Sequence, residues 1–363
     1  MLGVVTTFYN SLNYGGVLQA YALQKKLLEY GIKNEIINYM NGDYPIAYKI
    51  IQSIPCEDFR RYPYMIKHVI DKKKKGFIAN NERRSKFNSF KEGYVKTSSL
   101  VYNAKQFDAI NEKYDAFLCG SDQVWNPGNK LLPNPFYSLS FTSKSKYSYA
   151  AALARKNITW LQMQFIKKEL MKYSMISVRE KFAKDILERT LNKTTTLTCD
   201  PVYLLEPKEW FELASEPICK KKYIYDYRLG AELKSDDVKI NVRELGYEYI
   251  FDNGTLPMGP REWIWVIQNA ECIITNSFHA LAFSVLFQKK VILLKRKEIN
   301  KYDDMNIRLL DLLNILELKI RLSDADINTI DKVLSMEVEY DMALQKLEEL
   351  REESFEFLRN IQI

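Results

Sequence analysis

Three observations predict an α/β protein built from two doubly wound domains. Short apolar runs alternate with amphipathic runs of helical period over nearly the whole chain, the pattern of parallel sheets covered by helices. With 363 residues the chain exceeds what one hydrophobic core usually supports, so two cores are expected. The alternation pauses at Asp200-Pro201 and Glu206-Pro207 and then starts again, which places one domain over residues 1–205 and a second over 206–335. Residues 336–363 are left as a terminal helix expected to pack across the domain junction.

In the first half, strands are expected at 2–7, 34–38, 114–119, 146–152 and 175–178, with 196–199 closing the domain. Each is short, apolar and bounded by polar or turn residues. Helices are expected between them at 17–30, 107–113, 159–173 and 181–191. The second half repeats the logic, with strands at 222–227, 247–251, 272–275 and 291–294 and helices at 261–270, 279–287 and 307–316. Gly259-Pro260 opens one helix with proline at its first position, where the missing N–H does no harm. The last helix, about 338–361, carries Ala343, Leu347, Leu350, Leu358 and Ile361 on one face.

Residues 60–105 stand apart. They hold thirteen Lys or Arg against three Asp or Glu, so the net charge of +7 is concentrated there and the rest of the chain sums to −3. Lys72 to Lys75, Arg83 and Arg84 sit in a helical pattern with Met65, Val69, Phe77, Phe87 and Phe90 on its apolar side, which reads as an inserted helical pair. Such a face is either simply solvated or a patch for an anionic membrane or acidic polymer, each basic residue adding about 1 kcal/mol at an anionic surface. No nucleic-acid module accompanies the charge, so nucleic acid is not an expected partner.

Composition excludes several other classes. An apolar share of 47% and an aromatic share of 13% argue for a packed globular protein. No run of 18 apolar residues is present, so no membrane-spanning helix is expected. The N-terminus shows no basic region followed by an apolar one, the pattern of a secretory signal, and a cytoplasmic location is expected. Cys56, Cys119, Cys199, Cys219 and Cys272 are odd in number and lack CxxC spacing, so they read as reduced thiols. With two distant histidines besides, no metal site is expected.

Doubly wound sheets bind ligands at the carboxyl ends of their strands. The polar groups following each expected strand are therefore the candidates. Asn276-Ser277-Phe278-His279 stands where a buried strand hands over to a helix, and free N–H groups and the helix dipole favour an anion there. A helix start also favours neutral imidazole, which suits a histidine that takes a proton near neutral pH. The plainer alternative is a capping turn with His279 packed inside it.

After the first strand, Tyr9 to Gly16 form a small, amide-rich turn in which Asn13, Gly15 and Gly16 would let a ligand approach the backbone closely. It is neither GxGxxG nor a P-loop, and a tight strand-to-helix turn is the alternative. Gly120-Ser121-Asp122-Gln123-Val124-Trp125-Asn126-Pro127 offers a carboxylate, amides, a hydroxyl and an indole. Asp122 would orient or deprotonate a sugar hydroxyl and Trp125 would stack on a pyranose, unless Asp122 is only a helix cap. Arg179 suits bidentate capture of phosphate or carboxylate with Glu180 fixing its fork, and a plain ion pair is the rival. Lys295 and Arg296 follow a second-half strand, and Arg179 and His279 would face each other across a cleft.

Asn13 to Gly16, Gly120 to Pro127, Ser148-Tyr149-Ala150-Ala151, Ser177 to Glu180, Asp200-Pro201 and Thr275 to His279 occur in the order that resembles the polysaccharide pyruvyl transferase family. The resemblance extends over about residues 2–316. It implies a GT-B-like fold, two Rossmann-like domains facing a cleft. It also implies transfer of pyruvate from phosphoenolpyruvate to two hydroxyls of a sugar as a cyclic ketal, with release of phosphate, in capsule or exopolysaccharide synthesis. In that family's pattern Arg179 matches the donor-binding arginine and His279 the active-site histidine. Some members carry an arginine two residues before the histidine, where this chain has Ser277. The missing charge would come from Lys295 or Arg296. A Tyr-Ala-Ala-Ser block is Tyr149-Ala150-Ala151-Ala152 here.

The chemistry agrees with the residue types. Phosphoenolpyruvate carries two anionic groups, which call for arginine or lysine and backbone N–H donors. Its carbon 2 becomes electrophilic once the methylene is protonated, so an acid and then a base are needed. His279 and Asp122 are the catalytic candidates. The donor would be held by Arg179, Asn276, Ser277, Lys295, Arg296, Asn13, Gly15 and Gly16, and the acceptor by Ser121, Gln123 and Trp125. No cofactor is implied beyond phosphoenolpyruvate as substrate. The acceptor would be a sugar or lipid-linked oligosaccharide, brought to the inner membrane face by residues 60–105. The alternatives are a nucleotide-sugar glycosyltransferase of GT-B fold and a catalytically silent binding protein.

Overall fold

The computed structural model describes residues 1–40, 81–128, 134–215, 221–230, 236–296, 305–320, 322–323 and 327–363. The chain starts with β1 (Leu2–Val5), α1 (Tyr14–Glu29), β2 (Asn34–Ile36), α2 (Asn81–Tyr94), α3 (Phe107–Lys113) and β3 (Ala116–Asp122). It continues through β4 (Ser145–Ala151), α4 (Trp160–Leu170), β5 (Met175–Val178), α5 (Lys181–Leu191) and β6 (Thr196–Leu197). A 3-10 turn at Pro201–Leu204 and α6 (Pro207–Leu213) lead into β7 (Tyr223–Tyr227), α7 (Asp236–Glu244), β8 (Glu248–Asp252) and α8 (Pro260–Asn269). Then come β9 (Cys272–Thr275), α9 (Phe278–Leu286), β10 (Lys290–Leu294), α10 (Ile307–Ile315), β11 (Leu322–Ser323), α11 (Ile327–Ser335) and α12 (Asp341–Arg359).

The strands form two parallel sheets, β2-β1-β3-β4-β5-β6 and β11-β10-β9-β7-β8. The winding is the same in both. The first strand of each sheet is flanked by the next two strands in sequence, β1 by β2 and β3, and β7 by β8 and β9. The connections therefore part company at the carboxyl ends of β1 and β3 and of β7 and β9, and such a switch point leaves a crevice.

Three differences from the sequence expectation have local causes. β3 runs on to Asp122, since Gly120 and Asp122 still pair with Tyr149 and Ala151 of β4. The loop expected after this strand thus begins as part of the sheet. Helix α7 was hidden by its polar composition, because Val238 and Val242, four residues apart, are its buried contacts. β11 is only two residues long and too short for a pattern.

One hydrophobic cluster crosses between the two sheets. Tyr14 of α1 stacks on Trp263 of α8 with ring centroids 5.1 Å apart, and Trp210 of α6 meets Phe283 of α9 edge-on at 4.9 Å. Helix α12 starts near the second sheet, where Tyr340 donates to the Lys289 carbonyl at 2.6 Å. It ends on the first, where Ser354 Oγ accepts from the Cys199 N–H at 2.8 Å and Tyr147 donates to the Gln362 carbonyl at 2.7 Å.

The basic stretch is only partly described. Lys72 to Lys75, Met65, Val69 and Phe77 lie outside the described residues. Within α2 the charges do not form a solvated face. Arg83 is buried, donates to the Tyr14 hydroxyl and to the Leu12 carbonyl, and lies 4.2 Å over the Tyr14 ring. Lys86 pairs with Glu262 at 2.9 Å, and Lys91 donates to the Ser11 carbonyl, burial pulling its pKa down to about 8. These three cations face inward because α2 also carries buried Phe87 and Phe90. Arg84 is exposed. Cys119, Cys199 and Cys272 are buried, and burial raises all three thiol pKa values. Cys56 and Cys219 lie outside the described residues. Among the described residues no helix is long and apolar enough to cross a membrane.

Candidate active site

The first sheet contributes carboxylates and an arginine. Beyond β1, Thr6 Oγ1 donates to the Ser121 carbonyl at 3.0 Å and Thr7 Oγ1 to Asp122 Oδ2 at 2.9 Å, which closes the β1–β3 switch point. Gly120 has φ of +121°, and a β-carbon there would lie 2.2 Å from the Tyr149 carbonyl oxygen, so no other residue fits. Asp122 follows at φ +71°, a conformation that costs about 1–3 kcal/mol outside glycine and persists only where the surroundings hold it. Thr7 and Arg179 are what hold it.

Arg179 stands at the end of β5 and is 4% exposed. Its Nη2 donates to Asp122 Oδ1 at 3.2 Å, and its Nη1 donates to Asp200 and to Ser121 Oγ. Its guanidinium also lies 4.4 Å from the centroid of the Phe278 ring, which belongs to the other sheet. Glu180 does not fix this fork. Its Oε2 accepts instead from the N–H groups of Leu153 and Ala154 at 2.9 and 3.1 Å, while its Oε1 is buried without a partner. Burial pushes the Glu180 carboxyl up to about 7 against the pull of Arg179.

The second sheet answers with the turn after β9. Thr275 Oγ1 donates to the Tyr227 carbonyl at 2.6 Å, and the Asn276 amide accepts from the Leu229 N–H and donates to its carbonyl, closing the β7–β9 switch point. Ser277 caps α9 through the Ala280 N–H. His279, in the first turn of α9, is 7% exposed and sits edge-on to Phe278. The ring rests directly on Gly15 of α1, so two helix N-termini abut. His279 Nε2 lies 3.6 Å from Asp200 Oδ2, the oxygen that also takes Arg179.

Asp200 is the junction. Burial opposes its ionisation, but Arg179 and His279 outweigh burial and pull the carboxyl down to about 2. Asp122 is likewise held below its ordinary value, burial being outweighed by Arg179 and His279. Both are anions at neutral pH. They anchor Arg179 and His279.

Beyond β10, Arg296 Nε donates to the Asn276 carbonyl at 3.0 Å, and its backbone exchanges hydrogen bonds with the Asn306 side chain. Helix α10 thereby starts against the His279 turn. Its Arg308 is 5% exposed and lies 5.9 Å from the Phe278 centroid, so two guanidiniums flank one ring. Asp311 of the same helix accepts from the Lys181 N–H at 2.7 Å, fastening α10 to the start of α5.

The expected residues thus divide. Gly15, Ser121, Asp122, Arg179 and His279 come together, although both terminal nitrogens of Arg179 are engaged by carboxylates and only its Nε is without a partner. Asn13 caps α1 through the Gly16 N–H, Asn276 is spent on the Leu229 backbone, and Ser277 caps its own helix. Lys295 is exposed. Trp125 offers no face to a sugar: it is 2% exposed and packed edge-on to Tyr173 in the first core. Gln123 accepts from the Asn126 amide. Thr7, Asp200, Phe278 and Arg308 join the cluster without having been named as site residues, although Asp200 and Phe278 stand in blocks that carry the resemblance. Asp200 was visible in its Asp-Pro pair, and Arg308 as one cation in the apolar run Ile307-Arg308-Leu309-Leu310.

A model of the polysaccharide pyruvyl transferase family matches residues 13–298, which include Gly15, Asp122, Arg179, Asp200 and His279. The chain belongs to that family. No curated protein matches it at a significant level. Among solved structures, UDP-GlcNAc 2-epimerase from Methanocaldococcus jannaschii aligns with a TM-score of 0.53 at 11% identity, covering 94% of this chain and 93% of that one. The wall teichoic acid polymerase TagF aligns with a TM-score of 0.48 at 10% identity over 98% of this chain and 82% of that one. At 11% identity the likeness to the epimerase concerns the fold alone, and the fold of this pyruvyl transferase family member is GT-B-like. Arg308 lies just beyond the matched residues.

Proposed function

We propose that this family member transfers the pyruvyl group of phosphoenolpyruvate to two hydroxyls of a sugar, forming a cyclic ketal and releasing phosphate. The observation that carries the reading is the meeting of Arg179 and His279 on one buried oxygen of Asp200, between the switch points of both sheets. Two helix N-termini and several guanidiniums there suit a small dianion better than a neutral ligand.

The residues divide the chemistry as follows. Protonated His279 gives its proton to the methylene carbon of the donor, which makes carbon 2 electrophilic. A sugar hydroxyl bonds to carbon 2 and its proton passes to the now neutral imidazole. The bond from carbon 2 to the phosphate oxygen breaks, and phosphate leaves with the electron pair. A second hydroxyl then closes the ketal and passes its proton to the departing phosphate, so donor and diol become ketal and hydrogen phosphate. Asp200 holds the imidazole in place, and Asp122 holds Arg179. The acceptor is a sugar or lipid-linked oligosaccharide of surface polysaccharide synthesis, reached at the inner face of the membrane.

The test is incubation with phosphoenolpyruvate and a panel of sugar acceptors, following phosphate release and the mass of the acceptor. Release coupled to a pyruvyl mass gain is expected. If no acceptor is modified while a nucleoside diphosphate, and not phosphoenolpyruvate, raises the melting temperature, the reading gives way to nucleotide-sugar glycosyl transfer.

A further inference from the structure

Most charges inside the cluster pair off; Glu180, bonded only to backbone N–H groups, and Arg308 do not. Arg179 has two carboxylates, and Asp200 has Arg179 and His279. Arg308 has neither an ion pair nor a hydrogen bond to any described residue. Its Nε is buried without a partner, as is that of Arg179, and its guanidinium lies 5.9 Å from the centroid of Phe278, whose ring also carries Arg179. Burial, reinforced by the cations Arg179 and Arg296, lowers its pKa to about 10, although Glu180 and Asp122 pull the other way. A buried guanidinium with neither ion pair nor hydrogen bond is costly, and a fold that retains one next to Arg179 and the His279 turn is suited to an anion from outside. Its backbone is not loose, since Asn306 and Asp311 fasten α10 on either side of it.

We infer that Arg308 is a phosphate-binding residue of the donor site, supplying the charge that Ser277 lacks. The assignment of the phosphate to phosphoenolpyruvate rests on the function proposed above. The binding of a phosphate group to Arg308 does not. Lys295 and Arg296, the candidates by sequence proximity, are poorer: the first is exposed, and the second spends its Nε on the Asn276 carbonyl.

Calorimetric titration of the full chain with inorganic phosphate and with phosphoenolpyruvate tests this, comparing wild type with Arg308→Met and Arg308→Lys. Arg308→Met is expected to lose affinity for both ligands by about ten- to a hundredfold, the worth of a charged hydrogen-bond donor, and Arg308→Lys to recover part of it. The unliganded melting temperature of Arg308→Met should equal or exceed that of wild type, because a costly buried charge has been removed. Unchanged phosphate affinity in Arg308→Met overturns the inference, as does failure of the wild type to bind phosphate at all. A lowered unliganded melting temperature without loss of phosphate affinity would make Arg308 a packing residue and overturn it too. Arg308-dependent phosphate binding in a wild type that ignores phosphoenolpyruvate upholds the inference and sinks the proposed donor instead.

Discussion

Gly15→Ala separates a helix that merely starts at residue 14 from one whose first turn is shaped to receive His279. On intrinsic propensity alone, alanine in place of glycine stabilises a helix by up to about 1 kcal/mol. A β-carbon on residue 15, however, would lie 2.1 Å from His279 Cγ and 2.2 Å from Nδ1. Reaching an ordinary contact of 3.4 Å requires the imidazole to recede by about 1.3 Å. The ring belongs to a helix whose Ala280, Leu281, Ala282 and Phe283 are fully buried, so it cannot recede alone. Overpacking of this kind costs about 1–3 kcal/mol, which outweighs the propensity gain. A displacement near 1 Å at the reacting group lowers turnover about a hundredfold. Gly16→Ala is the internal control, because a β-carbon there meets nothing closer than 3.6 Å. Urea unfolding and phosphate release from phosphoenolpyruvate with an acceptor should show Gly15→Ala destabilised and crippled, and Gly16→Ala stabilised. Equal stabilisation of both variants, with normal turnover in Gly15→Ala, would refute the close packing of His279 on α1.

Asp200→Asn should destabilise the protein by about 3–5 kcal/mol in urea unfolding, because Arg179 loses the nearer of its two carboxylates and His279 loses its own; a loss below about 1 kcal/mol would count against the junction. The same carboxyl, near 2 folded and 3.8 ordinarily, gives stability that is present above pH 4 and lost as pH falls through 2, so the acid limb should be shallower in the variant. Glu180 has the opposite sign: raised to about 7 from 4.5, it contributes stability below pH 4.5 that is lost as pH rises through 7. Glu180→Gln should therefore gain about 1–3 kcal/mol over wild type at pH 8 and nothing at pH 4.5, and equal profiles would contradict the burial argument. Arg83→Met removes the cation from the Tyr14 hydroxyl and ring and should speed limited proteolysis between the sheets, whereas wild-type resistance would show that α2 does not help to join them. Neutralising Lys72 to Lys75 should weaken binding to anionic vesicles at low salt, and unchanged binding would dismiss the membrane contact.

Strands and helices were legible where burial on both faces left uninterrupted apolar runs, as at Ile273-Ile274 and Val291 to Leu294, because a parallel sheet imposes that pattern on any sequence that forms it. Helix α7 was not, since its sheet contact needs two valines only. The site was half legible. Arg179 and His279 stood out because each follows a buried strand, although the sequence left a plain ion pair and a packed capping turn open for them. Trp125 misled because an indole beside polar residues has the same letter whether its ring faces solvent or Tyr173.

From the sequence alone came the parallel winding, the order of the family's blocks and the strand ends at which polar groups gather, all of them properties of local pattern. Only the tertiary structure decided which charges meet. Asp200 rather than Glu180 takes Arg179, Gly15 gives room to His279, and Arg308 is left without a partner. Those outcomes depend on distances between chain segments remote in sequence, and in a buried site a few ångströms separate a neutralised charge from one that still calls for an anion.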